Sequence, residues 1–359
     1  MNGLVLSGGG ARAAYQVGAL KAIAEHYPQF DDELEVIMGS SLGAINGVLV
    51  AAGLRAGYQQ ATNALLELWN TRTFENTFGG SISLTLMRSL KVGFLQYLYP
   101  GPRTTSTAIF DPTPLRQDID EILFSFGGAS VENHPRNLKA VGVMATKDGG
   151  GEREGLLIVN SKEHLCAKSQ EGISFSIHYV NHLSSSHAFA SAALPFVMPP
   201  VQLDLEHKTV NLVDGGIADN VPIDPAIRFG ADKIFLVDTS GKKWWHDYYD
   251  RPYDTAEPWS LDSPAGSFCP TPKCVVEICS KQSFGKILKD STQSSTREFI
   301  RALGPVWPIY QVLYRTMGEE VAFEILSYAV VHKSYLSALI DLGYCETQEI
   351  LKKSSLLKA

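Results

Sequence analysis

Basic residues do not outnumber acidic ones in this 359-residue chain: 31 Lys and Arg stand against 38 Asp and Glu, for a net charge of −7. That balance gives no general electrostatic pull toward nucleic acid or anionic lipid, so nucleic acid is not an expected partner, although a local basic patch is compatible with it. Cysteine is scarce: Cys166, Cys269, Cys274, Cys279 and Cys345 make an odd set of five. Cys269, Cys274 and Cys279 recur at five-residue intervals without the CxxC pairing of zinc sites, and ordinary thiols are the better reading than a metal centre. No apolar run approaches the roughly 20 residues of a membrane-spanning helix. The most apolar windows, "AINGVLVAAGL" and "EILSYAVV", are far shorter. No secretory leader is read where Met1 runs almost directly into "LVL", and a reducing, cytoplasmic setting is expected.

What the chain does contain is an alternation of strand-like and helical segments. Candidate strands are "GLVLS" (3–7), "LEVIMG" (34–39), "KAVGVMAT" (139–146), "GLLIVN" (155–160), "TVNLVD" (209–214) and "KIFLVDT" (233–239). Several are nearly continuous in Val, Ile and Leu, as in strands buried on both faces of a largely parallel sheet. Residues 241–275 are rich in Pro, Tyr, Trp and Asp without periodicity and read as a long surface insertion. The division expected is a catalytic α/β body over 1–240, an irregular insertion over 241–297, and a helical C-terminal extension over 298–359 packed on the body.

Two glycine-rich stretches carry chemistry. In "VIMGSSLGAINGVLVAAG", Gly39, Ser41 and Gly43 fit GxSxG at the junction of a strand and a helix. A nucleophile elbow turns so sharply there that only small neighbours fit around the projecting serine. Gly43, Gly47 and Ala51 then give the helix a smooth stripe for close packing on the sheet. Ser40 is expected to face the protein interior. The other stretch, "SGGGAR" at the first strand-to-helix turn, offers consecutive backbone N–H groups to a developing oxyanion, with Arg12 as a fixed charge or a structural clamp. It lacks the GxxxxGK[ST] of a phosphate loop and fits GxGxxG only partly, since Ala13 stands at the last glycine.

A serine nucleophile needs a base. "NLVDGGIADNVPIDPAI" places Asp214 at a strand end before Gly215 and Gly216, which permit a close approach to the hydroxyl. A solvated Asp titrates at about 4 and must be desolvated to serve. Asp219 and Asp224 read as turn or helix-cap carboxylates, and Asp238 as a weaker alternative at another strand end. Among the nine histidines, His26, His134, His164, His207 and His246 read as surface residues, whereas His178 and His182, followed by His187, are spaced to share a helix face. Only His246 and His332 follow Asp214, and neither sits at a strand-end turn, which favours a two-residue Ser/Asp arrangement.

The blocks "SGGGARAAYQVGAL", "GSSLGAING", "SAALPFVMPPV" and "DGGIADNVPIDPAIRFGADKIFLVD" resemble, in order, those of the bacterial branch of the patatin-like phospholipase family. The resemblance covers residues 1 to about 240 discontinuously, and "SYLSALIDLGYCET" resembles the family's C-terminal helix. It implies a three-layer α/β/α sandwich with a mostly parallel sheet. It further implies Ser41 as nucleophile, Asp214 as its partner, and Gly8, Gly9, Gly10 and Ala11 with Arg12 as the oxyanion loop. Ala13 departs from the family's usual glycine, and the 241–275 insertion has no recognised counterpart; it is a lid or partner-site candidate. Family members cleave acyl-lipid esters, so a phospholipid or other acyl-ester lipid is the implied partner, with no metal or organic cofactor.

Leu84, Met87, Leu90, Phe94 and Leu98 keep helical spacing beside Arg88, Lys91 and Arg103, which suits either an interfacial helix making peripheral membrane contact over 84–98 or a core-facing one. "AALPFVMPPV" (192–201) reads as an acyl-pocket wall or a structural loop. The activity expected is serine acyl hydrolysis of the phospholipase A, lysophospholipase or esterase type. An acyltransferase using the same acyl-enzyme, or a silent lipid-binding protein, are the alternatives.

Overall fold

The computed structural model describes residues 1–79, 108–149, 152–165, 174–195, 197–205, 208–241, 274–293 and 296–353. Strands β1 (Asn2–Leu6), β2 (Leu34–Ser40), β3 (Ala140–Gly149), β4 (Glu152–Ser161), β5 (Phe175–Tyr179), β6 (Val201–Leu205), β7 (Lys208–Asp214), β8 (Lys233–Asp238) and β9 (Cys274–Cys279) form one sheet. Its main order is β5-β4-β3-β2-β1-β8-β9, with β7 paired to β3 and β6 to β7. The β1–β2, β1–β8, β2–β3, β4–β5 and β8–β9 pairs are parallel; β3–β4, β3–β7 and β6–β7 are antiparallel.

The uninterrupted apolar runs of the central strands follow from burial on both faces. Leu4, Leu6 and Ile37 join the larger core with residues of α1 (Ala14–His26), α3 (Leu42–Gly53) and α4 (Tyr58–Asn70), while the single turn α2 (Phe30–Glu33) adds Phe30. Val5, Val36 and Met38 point the other way, onto Ala226 and Ile227 of the helix Ile223–Arg228. This is the α/β/α arrangement with a mostly parallel sheet. The C-terminal helices Thr296–Leu303, Trp307–Met317, Glu319–Leu326 and Lys333–Lys353 pack on the larger core, and the Tyr15 hydroxyl of α1 donates to Glu346 at 2.8 Å. Among the described residues no helix is long and apolar enough to cross a membrane.

Three sequence expectations need correction. Within 241–297, Cys274–Cys279 forms edge strand β9 beside β8, and Phe284–Thr292 is helical. Val276 and Ile278 alternate inward there, in a stretch too short to stand out beside its Pro-rich neighbourhood. His178 and His182 share no helix face: Phe175–Tyr179 is a strand taken up by the open edge of β4, and His182 lies in the turn after it. His134 is buried, its Nε2 3.3 Å from the Ala51 carbonyl oxygen. The 84–98 stripe and residues 242–273 of the insertion lie outside the described residues.

Candidate active site

Strand β3 acts as a ruler on which two other strands meet end to end. Its first half pairs in parallel with β2, up to Ser40 opposite Met144; the next residue of β3, Ala145, lies opposite Asp214, the last residue of antiparallel β7. The C-terminal ends of β2 and β7 therefore converge, although 173 positions separate Ser41 from Asp214. The Ser41 hydroxyl donates to Asp214 Oδ2 at 2.7 Å, with both residues buried.

Ser41 sits at φ 52, ψ −131, a positive φ that costs a non-glycine residue about 1–3 kcal/mol and is sustained by its surroundings. The flanking glycines show why the turn closes. A Cβ on Gly39 would stand 2.6 Å from Ala44 Cα, and one on Gly43 would stand 2.4 Å from the carbonyl oxygens of Leu6 and Ser7. Beyond the turn α3 begins at Leu42, so its positive end is directed at the serine. Ser40 faces inward and donates to the Asp219 carbonyl at 2.8 Å. The Ser41 N–H donates to Ser191 Oγ at 2.9 Å, and the Ser191 hydroxyl in turn donates to the Met144 carbonyl.

Burial raises the Asp214 carboxyl to about 6, against the opposing pull of hydrogen bonds from Ser41 and from the Gly216 N–H at 2.8 Å. At neutral pH it is ionised yet far more basic than a solvated Asp, as a general base requires. Burial also raises Asp219 to about 6, but its Oδ1 accepts the Val221 N–H in a turn. Asp224 pairs with Arg228 at 2.8 Å, and Asp238 Oδ1 accepts the Ser240 N–H. Among the described residues no histidine hydrogen-bonds to Ser41 or Asp214; His187 accepts the Ser184 N–H at 3.0 Å at the start of the helix Ser185–Ala192.

The glycine loop lies against the serine: a Cβ on Gly8 would stand 2.9 Å from Ser41 Cβ. Its amides are not equivalent. Gly8 N–H donates to the Asn220 carbonyl at 3.1 Å and Ala11 N–H to the Tyr328 carbonyl at 2.8 Å, whereas those of Gly9 and Gly10 meet no acceptor among the described residues. Gly10 holds φ +56, with the Tyr328 oxygen 2.2 Å from where a Cβ would stand. Arg12 is a clamp, 1% exposed and outside the cavity wall. Ala13, at φ −61, needs no glycine, and the Gly10–Ala13 turn runs straight into α1.

Ser41, Asp214, Gly8–Ala11 and Gly216 line a cavity of about 840 Å³, within the range of small-molecule sites. Its remaining wall is mainly apolar, including Ile45, Leu68, Trp69, Phe78 and Phe110. Ala192, Leu194, Val197 and Met198 belong to it, so described residues of the 192–201 stretch do form cavity wall. Among the described residues no cluster of three or more His, Cys, Asp or Glu could hold a metal ion. Ser191 and Asn220 were assigned no role from sequence, although both sit inside the quoted "SAALP" and "DGGIADN" blocks; Glu324 and Tyr328 carry no motif at all.

VipD from Legionella pneumophila is similar to this chain at 15% identity, covering 98% of this chain and 66% of its own, with a TM-score of 0.38. Human GIVD cytosolic phospholipase A2 is similar at 14% identity, covering 98% and 59%, with a TM-score of 0.44. The chain thus spans less than two thirds of the length of either, and likenesses this distant carry no argument about chemistry. No curated protein matches the chain. The Patatin model, described as patatin-like phospholipase, matches residues 4–227, more than half of the sequence and all of the elements that meet at Ser41 and Asp214: the chain belongs to the patatin-like phospholipase family.

Proposed function

We propose that this protein is a serine acyl hydrolase that cleaves fatty acyl esters of lipids with a Ser41–Asp214 dyad. The observation that carries this reading is the 2.7 Å hydrogen bond from Ser41 Oγ to a buried Asp214 in the wall of a mainly apolar cavity. Ser41 Oγ attacks the acyl carbonyl carbon as its proton passes to Asp214 Oδ2. The resulting oxyanion is held by the amides of Gly9 and Gly10, which meet no acceptor among the described residues, with the positive end of α3 nearby. Collapse breaks the ester bond, and the departing alkoxide takes the proton from Asp214, leaving an acyl-enzyme. Water then attacks that ester, gives its proton to Asp214, and fatty acid departs as Ser41 recovers its hydrogen. An alcohol entering in place of water would give a new ester instead.

The test is fatty-acid release from mixed phospholipid vesicles by wild-type protein and Ser41→Ala. Release by the former and none by the latter supports the reading; equal release by both overturns it.

A further inference from the structure

The loop that presents the Gly9 and Gly10 amides is anchored at two places. Near its start, the Gly8 N–H donates to the Asn220 carbonyl and the Asn220 side-chain Nδ2 donates to the Gly8 carbonyl at 3.3 Å, both within the family-matched region. The second anchor lies about a hundred residues beyond that region, in Glu324–Tyr328. There the Tyr328 carbonyl accepts the Ala11 N–H at 2.8 Å, and Arg12 enters a buried network. Arg12 Nε donates to Ser327 Oγ at 2.7 Å, and Nη2 to the Glu324 carbonyl at 2.8 Å and to Glu324 Oε1 at 2.7 Å. The guanidinium also lies 3.6 Å from the Tyr328 ring centroid. Glu324 Oε2 accepts the Ser283 hydroxyl at 2.6 Å and the Gly285 N–H at 2.8 Å.

We infer that Glu324 is a positioning residue for the oxyanion loop, holding Arg12 so that the Gly9 and Gly10 amides face the carbonyl attacked by Ser41. The inference rests on the Ser41–Asp214 reading. Neither Arg12 nor Glu324 lines the cavity, so neither touches substrate there; both act through the loop. A buried charge-assisted network in which both Glu324 carboxylate oxygens accept hydrogen bonds fixes direction as well as distance, which a merely apolar contact would not. Glutamine is not a neutral replacement. Its NH2 would oppose either the Arg12 guanidinium or the Ser283 and Gly285 donors.

Breaking one partner of a buried pair also strains the fold, so the test uses the double variant Arg12→Met/Glu324→Met, which replaces the pair by apolar side chains and is tolerated in many cores. The measurements are kcat and KM on p-nitrophenyl butyrate, Tm, and hydrogen exchange of the backbone amides at positions 11 and 12. The expected result is kcat about ten- to a hundredfold below wild type, KM within about twofold, and faster exchange at those two positions. A wild-type kcat in the double variant overturns the inference. If the double variant also loses Tm, Ser327→Ala, which removes the Arg12 Nε acceptor and the Ser327 hydroxyl's own 2.6 Å bond to the Glu324 carbonyl while keeping the Arg12–Glu324 pair, is held to the same kcat and KM criteria. Failure of wild-type protein to cleave the ester or to react with a fluorophosphonate would overturn the dyad reading and this inference together; an active wild type matched by the variants overturns this inference alone.

Discussion

The elbow at Ser41 and the loop at Gly8–Arg12 are both glycine-lined strand-to-helix turns, yet they are built in different ways. The elbow is mostly a local product: Gly39 and Gly43 let β2 and α3 close around a serine at φ 52, and the principal contacts that demand glycine come from α3 itself and from adjacent β1. The loop takes its conformation from far along the chain, with Asn220 at one end and Glu324–Tyr328 at the other. In the proposed reading, the nucleophile is thus presented by about a dozen consecutive residues, while the amides assigned to serve it depend on the assembled fold.

The largest effect should come from the elbow. Ser41→Ala is expected to reduce ester turnover by at least about 10⁴-fold while Tm stays close to wild type, as for other serine enzymes stripped of the nucleophile. Asp214→Asn should cost a comparable factor and also report on electrostatics. Because burial raises this carboxyl from 3.8 to about 6, the folded state gains stability from the protonated form at low pH and loses it as pH rises from about 4 through about 6. Asparagine carries no such cost. Above pH 6 the variant should therefore be more stable than wild type by on the order of 2–3 kcal/mol, measured by denaturant titration. A variant less stable at pH 8 would contradict the burial argument.

Next in size is the loop. Gly10→Ala combines a φ of +56 with a Cβ 2.2 Å from the Tyr328 oxygen, and should lower kcat about a hundredfold with a smaller change in KM. If its effect equalled that of Ser41→Ala, the loop would be part of the elbow's folding unit, and the contrast between the two turns would fail. The pH–rate profile comes after it: kcat/KM should fall about tenfold per unit below pH 6 and level off above it. Asp219→Asn should leave that limb in place, since Asp219 titrates in the same range but serves a turn. The smallest effect belongs to Ser191→Ala, which removes the acceptor of the Ser41 N–H and should cost about tenfold in kcat and ~1 kcal/mol in stability.

The same contrast governs how much could be read from the sequence. Six strands were legible from their runs of Val, Ile and Leu, written in the central strands by burial on both faces, and the elbow was legible because its demands fall within five residues. Strands β5, β6 and β9 were missed. Each is short and lies outside the run β3-β2-β1-β8, and its pairing is set by a neighbour's open edge rather than by its own composition. Arg12 was legible as a charge or a clamp but not as which, because Glu324, the group that decides it, lies 312 positions away. The engagement of the Gly8 and Ala11 amides was likewise invisible, since a run of glycines does not show which N–H groups already have acceptors. His134 misled because its polar neighbours gave no hint that it packs near Ala51.

The most direct measurement is fluorophosphonate labelling followed by peptide mass spectrometry, comparing wild-type protein with Asp214→Asn at pH 7.5. The Ser41–Asp214 account predicts a single adduct, on Ser41, forming at least about a thousandfold more slowly in the variant. An adduct on another residue, or equal labelling rates in the two proteins, would contradict it.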